Sequence, residues 1–169
     1  MTTTSKPIFL LDTGPLSVLC GFPIKRVPYI QAVLEYADIV LPDAVAGEIE
    51  GAGKMARVVR PLLQSNAISV MSSPATPLVV DTAYSRDLGP GERAVIKCGL
   101  SSAIQTVIDD QDAFMAACRF KLHPIVFQDF IVTLIQNWGM PKLTGLEIVQ
   151  TTRVQFPATY LIHTLDMLT

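Results

Sequence analysis

The sequence predicts a three-layer α/β/α sandwich around a mainly parallel sheet. Three observations carry that prediction. Short apolar runs alternate along the chain with stretches of helical periodicity, the pattern of a parallel α/β fold. The first run, Ile8-Phe-Leu-Leu, is continuously apolar rather than alternating, as expected of a strand covered on both faces. Apolar residues make up 50% of the chain and charged ones only 17%, which excludes disorder and suits a buried sheet.

The elements follow in order. Residues 7–11 form the first strand and end at Asp12-Thr-Gly-Pro. Pro15 belongs in the first turn of the helix that follows, where its missing N–H costs nothing. Residues 29–36 read as a helix, 39–41 as the second strand, and 43–50 and 54–64 as helices. Residues 67–71 are strand-like and 77–86 helical. Gly89-Pro-Gly-Glu-Arg turns into a helix through Leu100. Residues 106–108 are expected as a third central strand, followed by a helix over 110–121. His123-Pro-Ile-Val-Phe reads as a last strand, and helices over 130–136, 144–154 and 157–168 close the chain.

All 169 residues fit one domain, with about 155–169 as a C-terminal helical extension. No repeat or low-complexity tract appears. No apolar run reaches the ~18 residues that span a bilayer, so no membrane partner is expected. Cys20, Cys98 and Cys118 are odd in number and far apart, with no Cys-x-x-Cys pair. They read as buried free thiols of a cytoplasmic protein rather than zinc ligands or disulfides.

Acids at the edges of apolar elements point to chemistry. Asp12 follows the first strand, Glu48 lies in the helix after the second, Glu92 opens the helix after Gly-Pro-Gly, and Asp109 and Asp110 follow the third. Strand carboxyl ends of a parallel sheet share one edge, where ligands bind. Like charges gathered there repel by about 4 kcal/mol per pair at ~4 Å and an effective dielectric of 20. Protons or hard cations such as Mg²⁺ or Mn²⁺ relieve that repulsion. Such ions clamp a phosphodiester for attack by water, and they let a chain of net charge −2 hold a polyanion. Each acid also has a plainer reading: Asp12 and Asp110 as helix caps, Glu48 as a solvated helix residue beside its competitor Glu50, Glu92 as a first-turn acid. The order of the set carries the specificity. A receiver domain would place its acidic pair at the first strand. A haloacid-dehalogenase-type phosphatase would need Asp where Gly14 stands.

In that order the motifs resemble those of the PIN domain family. Ile8-Phe-Leu-Leu-Asp-Thr-Gly-Pro-Leu is similar to the family's opening motif. Leu41-Pro-Asp-Ala-Val-Ala-Gly-Glu-Ile resembles the second and puts Glu48 in its acid slot. Gly91-Glu-Arg-Ala-Val-Ile resembles a variant of the third and puts Glu92 there, and Thr106-Val-Ile-Asp-Asp-Gln-Asp-Ala-Phe resembles the fourth. In many relatives Thr-x-Asp stands at this last point, which aligns Ile108 with the Thr and Asp110 with the acid. Asp109, its neighbour, is the alternative for this role or a second acid sharing it.

The resemblance covers roughly residues 7–155. It implies an endoribonuclease in which Asp12, Glu48, Glu92 and Asp110, with Asp109, bind one or two Mg²⁺ or Mn²⁺ ions. It also implies an RNA substrate and, from the many small bacterial toxins in the family, an antitoxin partner and a homodimer. Lys54, Arg57 and Arg60, at i, i+3 and i+6 on one helix, and Arg93 beside Glu92 are the candidates for RNA phosphates. Two other readings stand beside the nuclease. One is a non-catalytic nucleic-acid or protein binding module of the same fold, with the 154–168 tail as its partner surface. The other is a small-molecule phosphatase of another α/β type, disfavoured by the lack of a phosphate-cradling Gly-rich loop.

Overall fold

In the structure, a computed structural model, residues 5–24, 27–51, 53–75, 88–156 and 158–168 are described. Strands β1 (Ile8–Leu11), β4 (Asp38–Pro42), β5 (Ile68–Met71) and β6 (Gln105–Val107) form one sheet in the order β5-β4-β1-β6. All three pairings are parallel. Phe9, Leu10 and Leu11 are all buried, so β1 is covered on both faces as its unbroken apolar run requires.

The covering helices are identified by alternation along β1. Phe9 meets Phe130 of α7 (Phe127–Trp138) edge to face, with ring centroids 4.8 Å apart. Leu10, pointing the other way, pairs in register with Thr106. Against Thr106 lies Gly99 of α5 (Pro90–Ser102), where a Cβ would come within 2.7 Å of the Thr106 Cγ2. Helices α5 and α7 therefore lie on opposite faces, and the three layers follow. Helices α1 (Thr13–Gly21), α2 (Tyr29–Leu34), α3 (Asp43–Glu50), α4 (Lys54–Gln64), α6 (Gln111–Arg119), α8 (Lys142–Thr152) and α9 (Ala158–Leu168) complete the fold. Helix α7 stops at Gly139, whose φ of +77° is a conformation glycine adopts without penalty.

Several expectations need correction. The strand at 105–107 is not central: it ends the four-stranded order. The strand expected at 123–127 is reduced to one parallel bridge, Val107 to Ile125, because Pro124 has no N–H to give a ladder. A short antiparallel pair, β2 (Pro23–Ile24) with β3 (Val27–Pro28), was not foreseen, since prolines hide strand character. Cys20 and Cys98 are buried but Cys118 is exposed. The helix expected over 77–86 lies outside the described residues. Helix α9 packs on α7 and leaves Ile162 and Met167 exposed. Among the described residues no helix is long and apolar enough to cross a membrane.

Candidate active site

Parallel pairing puts the carboxyl ends of β1, β4 and β6 at one edge of the sheet. Asp12 is held there by its backbone: its N–H donates to the Val107 carbonyl at 3.1 Å, extending β1 by one residue alongside β6. Its φ and ψ, −78° and 166°, are those of an N-cap, yet its side chain caps nothing. Only 4% of Asp12 is exposed. Its carboxylate instead faces a cavity of about 200 Å³ lined by Asp12, Thr13, Gly14, Glu48, Gly89, Glu92 and Asp110. The sequence spreads these acids over 99 positions, 12 to 110; the sheet edge gathers them.

The other acids are seated by local hydrogen bonds. Glu48, in α3, accepts from the Thr13 hydroxyl at 2.7 Å and from the Gly91 N–H at 3.0 Å. Glu92 reaches back to the Gly89 N–H at 2.7 Å, securing the start of α5. Asp110 caps α6 through the Ala113 N–H at 2.9 Å. These bonds hold the carboxylates apart, and among the described residues no three His, Cys, Asp or Glu side chains are grouped closely enough to hold a metal ion. The donors nonetheless suit a hard cation in kind, being all oxygen, and their number is sufficient.

The electrostatics show what the cavity lacks. Burial pushes the Asp12 carboxyl up to about 7; the Thr13 N–H opposes this, and the charges of Glu92, Glu48 and Asp109 add to it. Among the described residues no Lys or Arg lines the cavity to compensate. Asp109 is raised to about 6, again by burial, with the Phe127 N–H working against it.

A PIN domain model matches residues 8–126, the stretch that supplies the sheet and every acid of the cavity. The chain belongs to the PIN domain family. PIN domains are in general nucleases. The crystal structure of PAE2754 from Pyrobaculum aerophilum is similar in fold, with a TM-score of 0.53 at 17% identity over 78% of this chain and 98% of that one. No curated protein matches the chain.

Of the residues singled out in the sequence, Asp12, Glu48, Glu92 and Asp110 meet at one cavity of this PIN domain. Asp109 turns to a neighbouring cavity, its Oδ1 accepting from the Phe127 N–H at 2.8 Å. The basic candidates do not line the acidic cavity. Lys54 donates to the Gly21 carbonyl at 3.1 Å, Arg57 and Arg60 are exposed on α4, and Arg93 is half-buried in the first turn of α5. Sequence reasoning missed Thr13 and Gly91, which seat Glu48. Their only signal was adjacency to Asp12 and Glu92.

Proposed function

We propose that this PIN domain is a metal-dependent endoribonuclease whose active centre is the cavity ringed by Asp12, Glu48, Glu92 and Asp110. One observation carries the reading: a buried carboxyl is raised to about 7 by desolvation and like charge, in a cavity that no cationic side chain lines among the described residues. Such an arrangement is costly unless a cation is part of its working state. Asp12, the most buried member, would be the main ligand, and Glu48, Glu92 and Asp110 would complete the set directly or through water. Held there, Mg²⁺ or Mn²⁺ would supply positive charge for the phosphodiester and would make a water more acidic.

The chain's own residues do the rest. Thr13 and Gly91 position Glu48, and the Gly89 N–H positions Glu92. From those seats the two carboxylates would reach an ion held beside Asp12, directly or through water. Lys54, Arg57, Arg60 and Arg93, outside the cavity, meet flanking phosphates of single-stranded RNA. The biological reading that follows is the toxin of a toxin–antitoxin pair in the cytoplasm, working as a homodimer and restrained by an antitoxin protein.

The test is cleavage of single-stranded RNA by the purified chain with Mn²⁺ or Mg²⁺, beside Asp12→Asn and beside excess chelator. Cleavage that vanishes in both controls supports the reading; cleavage that survives either overturns it. The rival, a non-catalytic binding module, is favoured by the separation of the carboxylates in the present arrangement. Tight RNA binding with no cleavage across many substrates and both metals would select it.

A further inference from the structure

A cavity larger than the acidic one lies beside it. Its volume is about 470 Å³, within the ~300–1,000 Å³ of small-ligand pockets. Asp109, Gln128, Asp129 and His163 line it on the polar side, and Phe114 and Met115 on the apolar side. Three of its buried oxygens have no hydrogen-bond partner among the described residues: Asp109 Oδ2, Gln128 Oε1 and Asp129 Oδ1. Gln128 is only 3% exposed, so its amide oxygen has no solvent to turn to. Asp129 has His163 Nε2 at 3.8 Å, beyond hydrogen-bond reach. Buried acceptors without donors are rare and costly in folded proteins. Three lining one cavity mark a place for a ligand that brings donors.

The apolar wall adds a second requirement. The ligand must present N–H groups on one edge and a flat apolar body to Phe114 and Met115. The position adds a third. A Cβ on Gly14, in the wall of the acidic cavity, would stand 3.8 Å from the Asp109 Cβ, so the two cavities share a partition. A group bound here lies next to whatever crosses the acids.

We propose that this cavity seats one unpaired base of the RNA next to the scissile phosphate and selects for guanine, whose N1–H and exocyclic N2 donate side by side to the Asp109, Gln128 and Asp129 oxygens. This rests on the nuclease reading and names the substrate feature that the reading leaves open. Single-stranded bases are read in this way, by stacking and by hydrogen bonds to their pairing edges. Adenine and cytosine each offer one amino group. Uracil offers one N–H between two carbonyls, which would face the unpartnered oxygens. A site built to receive donors rejects a ligand lacking them far more strongly than an apolar pocket rejects a misfit.

The experiment is binding of hexauridylate and of the same oligomer with one guanosine, adenosine or cytidine, in excess chelator so that nothing is cut. The chain has two histidines, so the His163 ring signals report the cavity and those of His123 serve as control. The guanosine oligomer is expected to bind at least about tenfold tighter than hexauridylate and to shift His163 alone. Asp129→Asn should remove most of that preference. Met115→Trp, at a 48% exposed lining residue, should block the cavity without touching the core. Equal binding of all four oligomers, or a still His163, overturns the proposal. So does arginine amide shifting His163 at lower concentration than the guanosine oligomer, which would make the cavity a seat for a partner's guanidinium. RNA cleavage with Mn²⁺ alongside equal binding defeats the base pocket and leaves the nuclease standing. Guanosine selectivity with no cleavage in any metal defeats the nuclease and leaves the base pocket standing.

Discussion

Gly91 and Glu48, 43 residues apart, share one small space: the Gly91 N–H donates to Glu48 Oε1 at 3.0 Å, and a Cβ on Gly91 would lie 2.7 Å from that same oxygen. The glycine is needed for close approach, since nothing larger lets the carboxylate rest on the first turn of α5. Gly91→Ala is therefore expected to fold well. Alanine favours a helix by up to about 1 kcal/mol over glycine, and the displaced group is the free end of a flexible side chain. Cleavage should nonetheless fall, by about tenfold or more, as Glu48 loses its seat. A melting temperature within a few degrees of the parent, with reduced turnover, confirms this; unchanged turnover rejects it.

Asp12 sets the pH dependence of the metal-free protein. Its folded-state value of about 7 lies above the ordinary 3.8. Between those two values the folded chain keeps a proton that the unfolded chain has lost. Stability therefore falls as pH rises from about 4 to about 7 and levels off above. Asp109, raised to about 6, works in the same direction. Unfolding free energies from urea titrations in chelator should decline across that window, by an amount on the order of 2–4 kcal/mol for Asp12. A midpoint that climbs through the window contradicts the burial of an uncompensated Asp12.

The same argument makes Asp12→Asn a stabilising substitution at neutral pH when no metal is present. The amide carries no charge to desolvate, so the variant should melt several degrees higher than the parent at pH 8 in chelator. Its cleavage should nevertheless drop to background. Stabilisation with loss of activity is the signature of a functional carboxylate; equal loss of both would mark a structural one.

Mn²⁺ binding should be visible without any substrate. Millimolar Mn²⁺ is expected to raise the melting temperature of the parent by mass action on the folded state. Glu48→Gln and Glu92→Gln, which keep size and an accepting oxygen, should shrink that shift. A shift undiminished in both places the ion elsewhere.

Asp110 has two duties that one substitution separates. It caps α6 through Ala113, so Asp110→Ala should cost about 1 kcal/mol of stability. Asp110→Ser keeps a good cap and removes only the carboxylate. Parent-like stability with weakened Mn²⁺ response and cleavage is expected of Asp110→Ser. If its activity is intact, Asp110 serves as a cap alone, and Asp109→Asn becomes the decisive comparison.

The sequence by itself determined the layers and the order of the acids. An unbroken apolar β1 demands cover on both faces, and alternation of strand with helix leaves a parallel sheet as the way to provide it. That placed Asp12 and Asp110 at one edge, because residues after parallel strands must emerge there. Tertiary structure decided what local pattern does not encode. Asp12 and Asp110 both stand at helix starts, and only packing shows that Asp110 caps while Asp12 does not. Asp109 and Asp110 are neighbours in the chain, yet the Phe127 N–H draws Asp109 into a different cavity. The seat of Glu48 depends on Thr13 and Gly91, distant in sequence. Which carboxylate is buried, which is tied and which is left unpaired depends on solvent exclusion and hydrogen-bond geometry between elements, and those exist only once the chain has folded.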